Sequence, residues 1–229
     1  MTERHFERNL DTLTEEVLRL GSLAQEAIQG AMDALTARDS DLARSVIDRD
    51  EILDQQELLI DKLCTDLLAL QQPMASDLRF ITTALKINPE LERMGDLAVN
   101  ICERAIELNR EPPLKPLIDI PRMGEIAIEM LHGSLQAFVH RDAELARRII
   151  RKDDEVDGLL EQVFRELLSF MLEKNDTITR AIRLSFVSKS VERIADGCTN
   201  VCEMVVYMAE GEVIRHGGLH PPEEGHGGG

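Results

Sequence analysis

Two stretches of this chain, Glu92-Arg93-Met94-Gly95-Asp96-Leu97-Ala98-Val99-Asn100-Ile101-Cys102-Glu103 and Glu192-Arg193-Ile194-Ala195-Asp196-Gly197-Cys198-Thr199-Asn200-Val201-Cys202-Glu203, both read E-R-x-x-D-x-x-x-N-x-C-E. The offset is 100 at every matched position. A glutamate and an aspartate four residues apart share one face of a helix, where like charges repel. Asp50/Asp54 and Asp153/Asp157 repeat that spacing upstream. Four such pairs in two copies call for a counter-charge. Hard divalent or trivalent cations supply one and take several oxygen ligands. The lack of convergent His and Cys argues against a structural zinc site. The candidate ligands are therefore Asp50, Asp54, Glu92 and Asp96, with Asn100 one turn further along, and Asp153, Asp157, Glu192 and Asp196, with Asn200. Spacing does not choose among iron, manganese, magnesium and zinc, or between one ion and several. The competing reading is a solvated acidic face on which Arg49, Arg93 and Arg193 make i,i+3 or i,i+4 pairs.

The elements that must position these residues are helices. Leu10, Leu13, Val17, Leu20, Ala24, Ala27, Ala31 and Leu35 step by three and four, which predicts an amphipathic helix from Phe6 to about Ala37. Asp39-Ser40-Asp41 caps a second, with Leu42, Val46, Leu53, Ile60, Leu63, Leu67 and Leu70 as its stripe and Arg49 and Gln56 interrupting. Gln71-Gln72-Pro73 ends it, because proline cannot continue the ladder. Ser76-Asp77 is the expected cap of a third, which Pro89 is expected to kink rather than end, because the periodicity continues through it. After Glu111-Pro112-Pro113-Leu114-Lys115-Pro116 the cycle restarts, with helices from about Pro121 to Val139, Asp142 to Leu172 and Thr177 to Glu210. The expectation is an all-α chain of two tandem three-helix bundles: 1–110, a proline-rich linker at 111–120, then 121–211. A disordered tail is expected at 212–229, whose His216, His220 and His226 are solvated rather than ligands.

Antiparallel folding brings the carboxylates together. Residues level with each other across a hairpin keep a constant index sum. Pairing Asp50 with Asp96 and Asp54 with Glu92 centres the turn on Pro73. Pairing Asp153 with Asp196 and Asp157 with Glu192 centres it between Lys174 and Asn175, in the loop Glu173-Lys174-Asn175-Asp176. Four carboxylates converge in each half, outside the core stripe and near the surface, where a bound ion could recruit phosphate or a partner's side chain.

Composition narrows the function. One Tyr, no Trp and six Phe suit an aliphatic helical core. A net charge of −17 argues against direct nucleic-acid binding and fits a cation binder or a partner with basic patches. No run approaches the ~18 apolar residues of a membrane span. The start has no apolar signal region, and Cys64, Cys102, Cys198 and Cys202 lack a disulfide framework, so a reducing cytosol is expected. Glu129-x-x-His132 is only half of a di-iron motif, and no phosphate loop or nucleophile elbow is present.

Gln72-Pro73-Met74-Ala75-Ser76-Asp77-Leu78-Arg79, Leu85-Lys86-Ile87 and Leu91-Glu92-Arg93-Met94-Gly95-Asp96-Leu97-Ala98-Val99-Asn100-Ile101 together resemble the signature of the PhoU family, from about Phe6 to Glu210. The resemblance implies a cytosolic, commonly dimeric regulator that is not an enzyme, built from two PhoU domains whose E/D-x-x-x-D motifs bind multinuclear metal clusters in some members. It implies repression of the phosphate-starvation response and of phosphate uptake. The implied partners are the ATPase subunit of the phosphate-specific ABC transporter and a PhoR-type sensor histidine kinase. Carried over by position, the ligands are the eight carboxylates above. The second copy departs from the pattern at Ala195 and at Gly197-Cys198, which puts that site's occupancy in question. A metal-dependent phosphate-handling enzyme, using a cluster-bound water, and an inert helical scaffold are the competing functions.

Overall fold

Leu13, Val17, Leu20, Ala24, Ile28, Ala31 and Leu35 are all buried along a single face, so the first amphipathic pattern forms one long helix, α1 (Thr2–Ala37). The computed structural model describes residues 2–71 and 73–214. The remaining elements are α2 (Ser40–Asp48), α3 (Asp50–Gln71), α4 (Ala75–Leu108), α5 (Asp119–His140), α6 (Ala143–Ile150), α7 (Asp153–Glu173), a 3-10 turn (Asn175–Thr177) and α8 (Ile178–Glu210). No strand occurs among the described residues. Met1, Gln72 and residues 215–229, with the three histidines of the expected tail, lie outside them; of that tail 212–214 are described, and Ile214 packs partly buried against the core rather than standing free.

The second and fifth expected helices are not continuous. Each breaks once, between α2 and α3 at Arg49 and between α6 and α7 at Arg151 and Lys152. At both breaks the backbone tightens to i→i+3 bonds: Arg49 N–H to Val46 C=O, and Lys152 N–H to Ile149 C=O at 2.9 Å. The break lets the short leading helix bury Ala43 or Ala146 while the longer one turns to pack Leu53, Ile60 and Cys64, or Val156 and Val163, inward. It also makes Asp50 and Asp153 the first residues of new helices, where the N-terminal dipole favours a carboxylate.

The turns into α2 and α6 match one another. Arg38 and Arg141, 103 apart, both adopt left-handed backbone (φ 57° and 52°). The following N–H bonds back to Ala34 or Ala137, closing a Schellman-type end. Arg38 then donates to the carbonyls of Leu108 and Glu111, and Arg141 lies 5.1 Å over the Phe80 ring, so tertiary contacts hold a conformation that glycine usually takes. Asp39 caps α2 through Asp41 and Leu42 N–H, as the sequence suggests. The expected Ser76-Asp77 cap is absent: α4 starts at Ala75 behind Met74, which makes no side-chain cap, and Asp77 lies in the first turn. Helix α4 continues through Pro89.

One apolar core runs through both repeats, with α4 and α8 packed against each other at its centre. They approach closely because Gly197 faces Met94; a Cβ there would meet the methionine methyl at 2.9 Å. The linker is strapped down by Arg183, which bonds Glu107 (3.0 Å) and Glu111 (2.6 Å), and by the buried Lys115 paired with Glu166. Among the described residues no helix is long and apolar enough to cross a membrane.

Candidate metal centres on the paired helices

Gly95 sets the first site. A Cβ at this position would stand 2.5 Å from Leu53 Cδ2, and Asp50 Oδ1 lies 3.7 Å from the same point. The missing side chain therefore lets α3 and α4 meet at the height of the carboxylates. The titration of the carboxylates reports how they cluster. Burial, then Asp54, then Asp96 raise the Asp50 pKa. Burial followed by Asp96, Glu57, Asp54 and Asp50 pushes Glu92 up to about 7.

The second group mirrors it between α7 and α8. Burial, then Asp196, Asp157, Glu192 and Asp154 push Asp153 up to about 7. Asp157 and Asp196 are raised by burial first and by Glu192 next, with Lys189 opposing. In the second group the foremost charges on Asp153 and Asp157 are the partners that the hairpin index sums pair with them, Asp196 and Glu192; in the first, Glu57 outranks the expected Asp54 in its effect on Glu92.

The carboxylates are less superficial than their position outside the core stripe suggested. Glu192 is only 7% exposed, and Asp50, Glu92 and Asp153 are half-buried, while Asp54, Asp96, Asp157 and Asp196 face solvent. Asp153 Oδ1 and Glu192 Oε2 are buried without a hydrogen-bond partner. Orphaned carboxylate oxygens are costly, and a cation of oxygen-seeking character is what such a donor set fits. Among the described residues, no three His, Cys, Asp or Glu side chains are already grouped tightly enough to hold an ion. Binding would therefore draw the side chains inward.

Lys189 distinguishes the halves. It donates to Glu192 Oε1 from one turn earlier on α8, and the position 100 residues before it is Pro89. The second group carries its own cation; the first has none there. Neither asparagine joins its own group: Asn200 Nδ2 donates to Glu90 at 3.3 Å, and Asn100 lines a cavity between α4 and α8. Among the described residues Arg49, Arg93 and Arg193 form none of the same-helix ion pairs expected of a solvated acidic face. Arg49 reaches Glu26 on α1 at 3.0 Å, and Arg93 acts across the repeats on Asp196, only partly offsetting the burial that raises it.

Several residues near the sites have no role in the sequence reading. Glu57 and Asp61 extend the α3 stripe, and burial first and Asp61 next raise the Glu57 pKa. Asn88 is fully buried and donates to Glu57 C=O (2.9 Å) and Asp61 Oδ1 (3.0 Å), tying α4 to α3. The series Asp50, Asp54, Glu57, Asp61 steps 4, 3, 4 and was there to be read. Its counterparts Leu160 and Phe164 are apolar, so a comparison restricted to the repeats hides it. Burial pushes the thiols of Cys64, Cys102 and Cys202 up to about 12 and Cys198 well above its ordinary value, which suits packing rather than metal or redox chemistry. His132 is exposed on α5.

Comparison with known proteins agrees with this architecture. The PhoU domain model matches twice, at residues 17–105 and 120–205. A phosphate-specific transport system accessory protein PhoU homolog of Aquifex aeolicus is 45% identical over 95% of this chain and 98% of its own. The phosphate-specific transport system accessory protein PhoU of Escherichia coli is 36% identical, covering 93% and 88%. The crystal structure of PhoU from Pseudomonas aeruginosa superposes with a TM-score of 0.87 at 34% identity, over 90% of this chain and all of that one. That of the phosphate transport system regulatory protein PhoU from Streptococcus pneumoniae gives 0.86 at 30%, covering 91% and 98%. With its domain present twice and its helices in the same arrangement, the chain belongs to the PhoU family.

Proposed function

We propose that this chain is a cytoplasmic, non-enzymatic adaptor that represses phosphate uptake and the phosphate-starvation response when phosphate is plentiful. It couples the ATPase subunit of the phosphate ABC transporter to a PhoR-type sensor histidine kinase, and it acts as a homodimer. Support for the pathway comes from relatives named as accessory or regulatory proteins of phosphate transport. The observation that carries the mode of action is the pair of repeat-equivalent carboxylate groups, with two orphaned buried oxygens in the second.

In this reading Asp50, Asp54, Glu92 and Asp96 hold one hard cation or cluster, and Asp153, Asp157, Glu192 and Asp196 hold another. A bound ion supplies positive charge and open coordination positions at the surface of a chain of net charge −17. The protein's own residues do the rest. Gly95 and the break before Asp50 bring the donors level, and Asn88 locks α4 to α3 beneath them. A partner acidic enough to be repelled by the bare groups could dock on the loaded ones.

The test is a phosphate-starvation reporter, such as alkaline phosphatase, in a deletion strain grown in ample phosphate. High activity returned to low by the wild-type gene, but not by Asp54→Ala with Asp96→Ala, is the expected result. Full repression by that double variant would remove the first metal site from the mechanism. Unchanged activity in the deletion strain would remove the repressor reading.

A further inference from the structure

A cavity of about 420 Å³ opens between α4 and α8, beside the second carboxylate group. Arg104, Lys189 and Arg193 wall it, Asn100 and Ser190 add polar groups, and Leu97 and Phe186 close the apolar side. Among the described residues no acidic side chain lines it, although the chain carries a net charge of −17. Arg104 is shared with Glu103 (3.4 Å) and Glu107 (2.9 Å). Arg193 has no carboxylate partner among the described residues, so its planar guanidinium is available to an incoming oxyanion.

The internal duplication provides a control. Moving each polar lining residue by 100 gives the repeat-equivalent surface, where Arg104 becomes Met204, Lys189 becomes Pro89 and Ser190 becomes Glu90. Of the polar lining residues the arginine, as Arg93, and the asparagine, as Asn200, remain, and Asn200 bonds Glu90. Phe186, moved likewise, becomes Lys86, whose ammonium sits 5.6 Å over the Tyr207 ring. One surface thus carries three cations and no carboxylate among its lining residues, while its copy carries two, Lys86 and Arg93, together with the carboxylate of Glu90. General surface charge gives no reason for that difference.

We propose that this cavity is an oxyanion site, taking inorganic phosphate or the phosphoryl group of a larger molecule, and that Lys189 couples it to the second carboxylate group. Arg193 supplies the bidentate contact, Lys189 the second charge and Arg104 a third from the opposite helix. Three positive groups within one concave wall focus the local potential against the acidic background. Lys189 lies between the two sites: it lines the cavity, yet its ammonium donates to Glu192. Its side chain is 47% exposed and free to swing. An anion that draws Lys189 into the cavity leaves Glu192 without its cation, which favours a metal ion at Glu192, Asp153, Asp157 and Asp196. By linkage the metal favours the anion equally. This coupling rests on the cation reading above; the anion site does not.

Equilibrium dialysis of the full chain against radiolabelled inorganic phosphate, in EDTA-treated low-salt buffer, tests the anion site. Saturable binding near one phosphate per chain is expected. Arg193→Gln and Lys189→Gln each weaken it about tenfold or more, while Arg122→Gln, on an exposed α5 position, leaves it unchanged. Adenosine triphosphate competing more tightly than phosphate supports the site with a phosphoryl ester as its occupant. Absence of binding by both, or equal binding by all variants with unaltered helicity, overturns it. Magnesium titration then tests the coupling: phosphate should tighten magnesium binding about fivefold or more in the wild type and not in Lys189→Gln. Phosphate binding with magnesium affinity unmoved overturns the coupling and the cation reading of that group, and leaves the anion site standing.

Discussion

Replacing Asp153 with asparagine should stabilise the metal-free protein while destroying its response to metal. Burial and three neighbouring carboxylates, with Asp154 adding a little, raise Asp153 from 3.8 to about 7, so the folded state binds its proton more tightly than the unfolded chain does. The ionised form therefore costs stability. That cost is absent below the unfolded pKa near 4, grows as pH rises toward 7 and is complete above it. A rise of that size corresponds to an upper bound of about 4 kcal/mol. Solvent screening of a half-buried, coupled group reduces this to about 1–2 kcal/mol. Asparagine keeps the shape and removes the charge. Urea denaturation of EDTA-treated protein at pH 8 should show Asp153→Asn more stable by that amount, and the two proteins should converge at pH 4. Saturating metal should reverse the order, because a ligand at one hundred times its Kd adds about 2.7 kcal/mol to a protein that binds it. An Asp153→Asn protein less stable than wild type at pH 8 without metal would refute the argument, since the carboxylate would then be engaged favourably as it stands.

Other expectations can be checked by the same melts. Glu92→Gln should likewise gain stability at pH 8 and lose the gain below about pH 5, since Glu92 is raised from 4.5 to about 7. Asn88→Ala removes two bonds from a fully buried amide and should cost about 1–3 kcal/mol. Gly95→Ala gains helix propensity but drives its Cβ to 2.5 Å from Leu53 Cδ2, so a net loss of about 1 kcal/mol is expected. In a Leu53→Ala background the sign should invert, with Gly95→Ala stabilising by up to about 1 kcal/mol; persistence of the loss would mean that Leu53 is not the obstacle.

What could be read from the chain alone were the features that repeat or obey a local period. The apolar stripes of α1, α4 and α8 depend on spacing within one helix, and the facing carboxylates follow from the same spacing plus one turn. The helix breaks at Arg49 and Arg151-Lys152 were not legible, because neither contains glycine or proline. They arise where one helix must satisfy two packing surfaces, a demand visible only once α1 and α4, or α5 and α8, are in place. The role of Gln56 was hidden for a related reason. It interrupts the apolar stripe, yet it is 6% exposed and bonds the carbonyl (3.1 Å) and carboxylate (2.7 Å) of Glu16, 40 residues away. Arg49 finds its acid on α1, and Asn100 turns to a cavity shared with α8, so neither belongs to the carboxylate group beside it in sequence.

The duplication both reveals the site and conceals its asymmetry. Matching residues at an offset of 100 draws attention to what the copies share: Glu92 with Glu192, Asp96 with Asp196. The functional differences sit at the mismatches. Pro89 against Lys189 separates a group without a built-in cation from one that carries its own, and Glu90 against Ser190 separates a surface that repels anions from one that can admit them. Duplicated folds keep the residues that hold the helices level under joint constraint, whereas residues one turn away can specialise at little cost to packing. On that argument the second repeat's departures are the acquisition of a distinct electrostatic setting around an intact carboxylate frame. The first site should answer to cations alone, and the second to cation and anion together.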